Sequence, residues 1–318
     1  METIRISYPL QPEAITHVTG PQVMAIGEFD GIHLGHQDVI RRAIEIARSK
    51  GLPVALMTFH PHPREVLGKE QYSQYITPLS EKLSLLEKIG VDRVYVVTFD
   101  EAFSQVRPDQ FVHEVLNELR TDSVVVGFDF KFGYRGEGTA ETLRGLGGRE
   151  LHVEIVPPFH QDGEKVSSTL VREQLESGGI EKTSQLLGRN YSICGTVVRG
   201  DGRGRTIGFP TANIELSEPF IVPRTGVYAV EVTVRQKRYY GVMNIGYKPT
   251  FQTGEHAVTL EVHIFDFDEM IYGEPISVRF NAYLRPERKF GSKDELVDQI
   301  HRDAEQAKSL LSAVRHQD

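Results

Sequence analysis

The hydrophobic rhythm of this chain changes once, near residues 187–190, and few architectures accommodate both halves. In the first half, short apolar runs at residues 23–26, 54–58, 94–98, 124–126 and 153–156 alternate with helical patterns. Between Leu34 and Lys50, the residues Val39, Ile40, Ala43, Ile44 and Ala47 recur on one helical face, and Gly51 ends the pattern. Similar patterns occupy residues 79–89 and 108–119, the second opening on Pro108. Alternating strands and helices predict an α/β, Rossmann-like domain, with a parallel sheet, right-handed crossovers and helices on both faces. Ligands of such sheets bind beyond the carboxyl ends of the strands.

The second half is strand after strand, at residues 191–198, 227–234, 239–244, 258–265 and 276–284, punctuated by Gly, Pro and Asn. That predicts an antiparallel barrel or sandwich. One helix follows, with Leu296, Ile300, Ala304, Ala307 and Leu311 at helical spacing. The expected domains are residues 1–187 and 188–318.

Composition narrows the class of function. With 39% hydrophobic and 25% charged residues, the 318-residue chain is ordinary for globular protein. A net charge of −8 argues against a general nucleic-acid binder, which presents a basic surface. The lone Cys194 has no partner for an internal disulfide. The N-terminal residues lack a basic stretch followed by an apolar core, so a cytoplasmic location is expected. No run of about 18 apolar residues suggests a membrane helix. The expected partners are small molecules, with no nucleic acid and no membrane, and the expected state is a monomer or weak homo-oligomer.

Gly27-Glu28-Phe29-Asp30-Gly31-Ile32-His33-Leu34-Gly35-His36 is the most informative segment. It follows an apolar strand and opens a helix, which makes it a ready anion site. Gly27, Gly31 and Gly35 let the backbone turn and approach a ligand. His33 and His36, three apart, can both face one ligand and donate hydrogen bonds to phosphate oxygens as charge develops. Incidental surface histidines are one competing reading and a zinc half-site another, but helical zinc pairs prefer a spacing of four and no Cys partners are available.

A second segment, Gly200-Asp201-Gly202-Arg203-Gly204-Arg205-Thr206-Ile207-Gly208-Phe209-Pro210-Thr211-Ala212-Asn213, is neither a Walker A loop nor a dinucleotide fingerprint. Its glycines allow amides to converge on phosphates, and Arg203 and Arg205 add charge. A mobile hairpin loop is the plainer alternative. Thr211 and Asn213 share one face if extended, and their oxygens suit magnesium, the plainer reading being a strand that begins with ordinary polar residues. In residues 258–264, Glu261 leaves the apolar face, as a solvated side chain or as a base for an attacking alcohol.

The first segment resembles the HxGH signature of the nucleotidyltransferase superfamily. Its longer form resembles the FMN adenylyltransferase module of bacterial bifunctional riboflavin kinase/FAD synthetases. Three further stretches agree in order: Thr58-Phe59-His60-Pro61-His62-Pro63, Gly127-Phe128-Asp129-Phe130-Lys131-Phe132-Gly133, and Val166-Ser167-Ser168-Thr169-Leu170-Val171-Arg172. Residues 200–213, Gly226-Val227-Tyr228, residues 241–246, the Glu261 strand and residues 285–290 resemble the riboflavin kinase family, a small β-barrel.

The resemblance implies phosphorylation of riboflavin in the barrel and adenylylation of FMN in the first domain, with ATP as co-substrate and Mg2+ as cofactor. It implies catalytic roles for His33, His36 and Glu261, and metal contacts for Thr211 and Asn213. Nucleotide contacts are implied for Gly27, Phe29, Asp30, Gly35, Ser168, Thr169, Arg172, Gly202, Arg203, Gly204 and Arg205. Flavin contacts are implied for His60, Pro61, Phe128, Asp129 and Phe132. The chain departs from the family pattern at Glu28, often Asn or an aromatic, at Asp129, often Asn, and at Lys165, often Arg. A kinase with a silenced adenylyltransferase domain, a flavin-binding regulator and a nucleic-acid-binding barrel stand as alternatives.

Overall fold

The computed structural model of the chain describes all residues except 17, 69–71, 201, 203, 250–255 and 315–318. Two compact units divide it, Met1–Ser168 and Thr169–Asp318.

The first unit is built on six parallel strands: β1 (Glu2–Ile6), β2 (Gln22–Ile26), β3 (Val54–His60), β4 (Arg93–Thr98), β5 (Thr121–Gly127) and β6 (His152–Val156). Their order across the sheet is β1-β4-β3-β2-β5-β6. Every residue of β2 is buried, as a central strand covered on both faces requires. Its side chains alternate between two cores. Val23 and Ala25 join the α1 (Leu34–Lys50) residues Val39, Ile40 and Ala43, while Met24 and Ile26 join Phe111, Val115 and Val126. The chain moves outward from β2 through β3 and β4, then returns to place β5 on the other side of β2. The carboxyl ends of β2 and β5 therefore flank the switch in strand order, where open α/β sheets form their ligand crevice.

Gly51 and Gly90, both left-handed, end α1 and α2 (Leu79–Ile89) as C-caps. The helical pattern expected at 108–119 forms as a short α-helix, Pro108–Gln110, running into a π-helical turn, Phe111–Leu116. β1 was not expected from the sequence; it is an edge strand, half exposed, and its apolar signal is Ile4 and Ile6 alone.

In the second unit, helices α3 (Ser168–Ser177, whose first residue closes the first unit) and α4 (Ile180–Leu187) precede a closed antiparallel barrel. Its strands are β7 (Ser192–Val198), β8 (Ala212–Leu216), β9 (Gly226–Val234), β10 (Lys237–Pro249), β11 (His256–Ile264) and β12 (Pro275–Arg285). The ring order is β7-β8-β11-β10-β9-β12, closing on β7. Alternate residues such as Val230, Met243, Val262 and Phe280 are fully buried. The strand β8 agrees with the plainer sequence reading of residues 211–213, the beginning of a strand with ordinary polar residues.

Helix α5 (Lys293–Val314) lays Ala304, Ala307 and Leu311 against the barrel residues Ala229, Val242 and Ala282. One ion pair fixes it: Arg285 meets the carboxylate of Asp303 through Nε at 2.9 Å and Nη2 at 2.7 Å. Asp303 is 3% exposed, and removing one partner of a buried pair strands the other charge. Asp303→Ala is expected to cost about 3–5 kcal/mol of stability, read as a lowered urea midpoint. A midpoint equal to the parent's would show that α5 is held by its apolar face alone.

Candidate active sites

The first site starts where β2 runs out. Phe29, Gly31 and Ile32 all take left-handed backbone, with φ of 51°, 90° and 41°. That tight turn brings His33 to the N-cap of α1, where its Nδ1 accepts the His36 amide N–H at 3.2 Å. With Nδ1 accepting, the neutral ring carries its proton on Nε2, which can donate to a ligand. The two imidazoles stack, with centroids 3.6 Å apart and planes 19° apart. The Phe29 ring meets the His36 ring edge-to-face at 5.4 Å. A Cβ on Gly35 would sit 3.2 Å from the His33 ring, so any larger residue there would have to displace the imidazole. A Cβ on Gly27 would sit equally close to Phe29.

Asp30 is buried, and its carboxylate accepts the Thr77 amide N–H at 3.0 Å. Its carbonyl accepts from the Ser168 hydroxyl at 2.9 Å. Two motifs 138 residues apart thus meet at one turn. Thr169 and Arg172 lie on α3 in the second unit, exposed and half-buried respectively.

The end of β3 carries His60 and the cis His60–Pro61 peptide. The Tyr75 ring lies 6.1 Å from the His60 ring, and its hydroxyl donates to Glu65 at 2.6 Å. Burial and that carboxylate push the Tyr75 phenol up. His62 caps the following helical turn, its Nδ1 accepting from the Arg64 amide.

The aromatic alternation at Phe128, Phe130 and Phe132 suggested a half-buried strand. Here the structure differs: residues 128–130 form a turn, and only Lys131–Phe132 is extended. Phe132 is buried against Phe111, centroids 5.2 Å apart, while Phe128 is exposed beneath the Lys165 ammonium at 4.3 Å. Asp129 pairs with Lys165 at 2.9 Å. The carboxylate that Asp129 introduces is therefore met by the Lys165 cation.

The second site lies on the barrel where β8 meets β11. Asn213 is the register partner of Glu261, and Glu261 is in turn opposite Asn244 on β10. The Thr211 hydroxyl donates to Glu261 Oε2 at 3.3 Å. The polar face expected from the alternation of residues 258–264 is thus an assembled row.

The glycine loop closes on this row. A Cβ on Gly200 would sit 2.1 Å from the Asn213 amide nitrogen. One on Gly204 would sit 2.2 Å from the Phe209 carbonyl oxygen and 3.4 Å from the Thr211 hydroxyl. Those glycines are there for close approach, beyond any need of a hairpin turn. Gly202 and Arg205 are exposed, with Gly202 at φ 68°, and Arg203 lies outside the described residues. His263 Nδ1 donates to the Pro210 carbonyl, 2.8 Å away, and Phe209 packs edge-on against both His263 and His301 of α5. Among the described residues, no group of three or more His, Cys, Asp or Glu is placed to hold a metal ion. Thr211, Asn213 and Glu261 do offer oxygen donors, which suit a hard cation shared with substrate phosphates.

Sequence reasoning passed over Tyr75, Thr77 and Lys82. The signal for Lys82 was present: it takes a place in the apolar stripe Leu79, Leu83, Leu86 of α2.

A family model described as FAD synthetase matches residues 15–170, and one described as riboflavin kinase matches residues 187–311. The chain is 43% identical to the Bacillus subtilis (strain 168) protein named bifunctional riboflavin kinase/FMN adenylyltransferase, over 99% of this chain and 100% of that one. Proteins of the same name are 41% identical in Listeria monocytogenes, over 98% and 99%, and 38% identical in Escherichia coli (strain K12), over 92% and 94%. A crystal structure from Streptococcus pneumoniae, described as a macrolide-efflux protein, is 34% identical with a TM-score of 0.86, covering 95% of this chain and 97% of that one. No described helix in this chain is long and apolar enough to cross a membrane.

Proposed function

The chain belongs to the bifunctional riboflavin kinase/FMN adenylyltransferase family, and we propose that it performs both reactions, phosphorylating riboflavin in the barrel unit and adenylylating FMN in the parallel-sheet unit. The observation that carries this reading is that each unit assembles its own polar set: stacked imidazoles at a helix entrance, and a carboxylate bonded to a threonine hydroxyl beside an asparagine.

In the kinase step, Glu261 takes the proton from the riboflavin primary hydroxyl as that oxygen attacks the γ-phosphorus of ATP, and ADP leaves. The Thr211 hydroxyl holds the carboxylate in place. Thr211 and Asn213 would hold Mg2+, which supplies charge neutralisation at the ATP phosphates when bound. Gly202, Arg203, Gly204 and Arg205 cover those phosphates.

In the adenylylation step, a phosphate oxygen of FMN attacks the α-phosphorus of ATP, and pyrophosphate leaves. A phosphate monoester is already anionic near neutral pH, so no strong base is needed. His33 and His36 donate hydrogen bonds to the charge that builds on the α-phosphate. Gly27 and Gly35 allow the approach, Phe29 and Asp30 shape the turn, and Ser168, Thr169 and Arg172 bind nucleotide. His60, Pro61, Phe128 and Asp129 take the flavin, with Phe132 supporting them from the core. The Asp129–Lys165 pair is consistent with retained adenylylation, because the added carboxylate carries its own counter-charge. The same reading places the protein in the cytoplasm, acting without nucleic acid or membrane, as a monomer or weak homo-oligomer.

Incubating the pure protein with riboflavin, ATP and MgCl2 is expected to yield FMN and then FAD on chromatography, and EDTA is expected to stop both. FMN without FAD would establish a kinase alone. Riboflavin bound but unconverted would establish a regulator.

A further inference from the structure

Lys82 is an unusual residue to find inside a protein. It lies on the buried face of α2 and is 3% exposed. Its ammonium donates to the Glu28 main-chain carbonyl at 2.7 Å and to the Thr58 hydroxyl at 3.2 Å. Thr58 donates to the same carbonyl at 2.9 Å. A buried cation persists only where hydrogen bonds and counter-charges compensate for lost water. The bonds here run to two backbone segments that matter: the turn at residues 28–32 and the end of β3. That turn holds two non-glycine residues, Phe29 and Ile32, in left-handed backbone, a strained conformation that persists only where the surroundings enforce it.

We propose that Lys82 is a positioning residue for adenylyl transfer: its ammonium ties the Glu28 carbonyl to the Thr58 hydroxyl, fixing the turn that sets Phe29 against His36 and the strand end that leads to His60. The proposal rests on the reading of His33 and His36 as the adenylyl-transfer pair. Lys82 touches no reacting atom; it acts through Glu28 and Thr58.

The charges that face this group are few. From the turn come the carboxylates of Glu28 and Asp30, from the helical turn Pro63–Val66 comes Arg64, which acts on Glu28, and the Tyr75 phenol also faces Glu28. Burial pulls the Lys82 ammonium down, and Glu28 and Asp30 oppose that. Burial pushes the Glu28 carboxyl up to about 8, with Lys82 opposing. Above that pH, an ionised Glu28 keeps Lys82 charged. Replacing Glu28 with glutamine removes that support, so the ammonium is lost at lower pH.

Two variants of the full chain test this. Lys82→Met is expected to lower kcat for FAD formation about 10–100-fold, with KM for FMN and ATP changed by less than about three-fold. Riboflavin phosphorylation by the same protein should be unchanged. Glu28→Gln is expected to move the alkaline limb of the FAD-formation pH profile down by about half a unit or more. FAD formation by Lys82→Met equal to the parent's would overturn the proposal, as would a Glu28→Gln limb coincident with the parent's. A merely structural lysine would lower the melting temperature and leave that limb unmoved. Failure of the parent itself to make FAD would sink the functional reading, and this proposal with it.

Discussion

Glu261→Gln is expected to slow FMN formation by about two to four orders of magnitude while FAD formation from supplied FMN stays within about two-fold of the parent. The substitution is nearly isosteric. A glutamine carbonyl can still accept the Thr211 hydroxyl, so the row Asn213, residue 261, Asn244 keeps its shape. What is lost is the capacity to take a proton from the attacking alcohol. The loss should therefore fall on kcat, with KM for riboflavin and ATP little changed. Flavin chromatography at saturating substrate checks it. A variant that still makes FMN at more than about a tenth of the parent rate would show that the proton goes elsewhere.

His36→Ala is expected to do the reverse, lowering FAD formation from FMN and ATP by about two to three orders of magnitude with riboflavin phosphorylation intact. Alanine removes one hydrogen-bond donor to the charge at the α-phosphate. It also removes the ring that stacks on His33 and meets the edge of Phe29, so the remaining imidazole loses its lateral support. Because the kinase residues lie in the other unit, riboflavin phosphorylation in the same tube is an internal control for concentration and folding of that unit. Equal loss of both activities would mean that the two centres are not separable.

Much of this was legible in the sequence, for identifiable physical reasons. α1 and α2 were readable because apolar residues recur at helical spacing and a left-handed glycine ends each. The buried strands β2 to β5 were readable because strands covered on both faces become unbroken apolar runs. β1 was missed because an edge strand needs only one apolar face and Glu2-Thr3-Ile4-Arg5-Ile6 supplies two apolar residues. β8 was legible only at its start, because Ala212-Asn213-Ile214-Glu215-Leu216 is polar and short and is held by its neighbours in the ring. Phe128 to Phe132 misled, because alternation of aromatics looks like a pleat even where a turn throws one ring outward and another into the core. Lys82 was hidden by the expectation that lysines on a surface helix face water. The meeting of Thr211, Asn213 and Glu261 needed the register of β8 on β11, which no local pattern encodes.

The closed ring has a consequence of its own. Among the described residues β8 and β11 share just two register pairs, Ala212 with Val262 and Asn213 with Glu261. The other seams run from four to nine pairs. Among the described residues the slenderest join in the hoop thus falls at Asn213 and Glu261, so backbone pairing there leans on the flanking seams and on the Thr211–Glu261 hydrogen bond more than anywhere else in the ring.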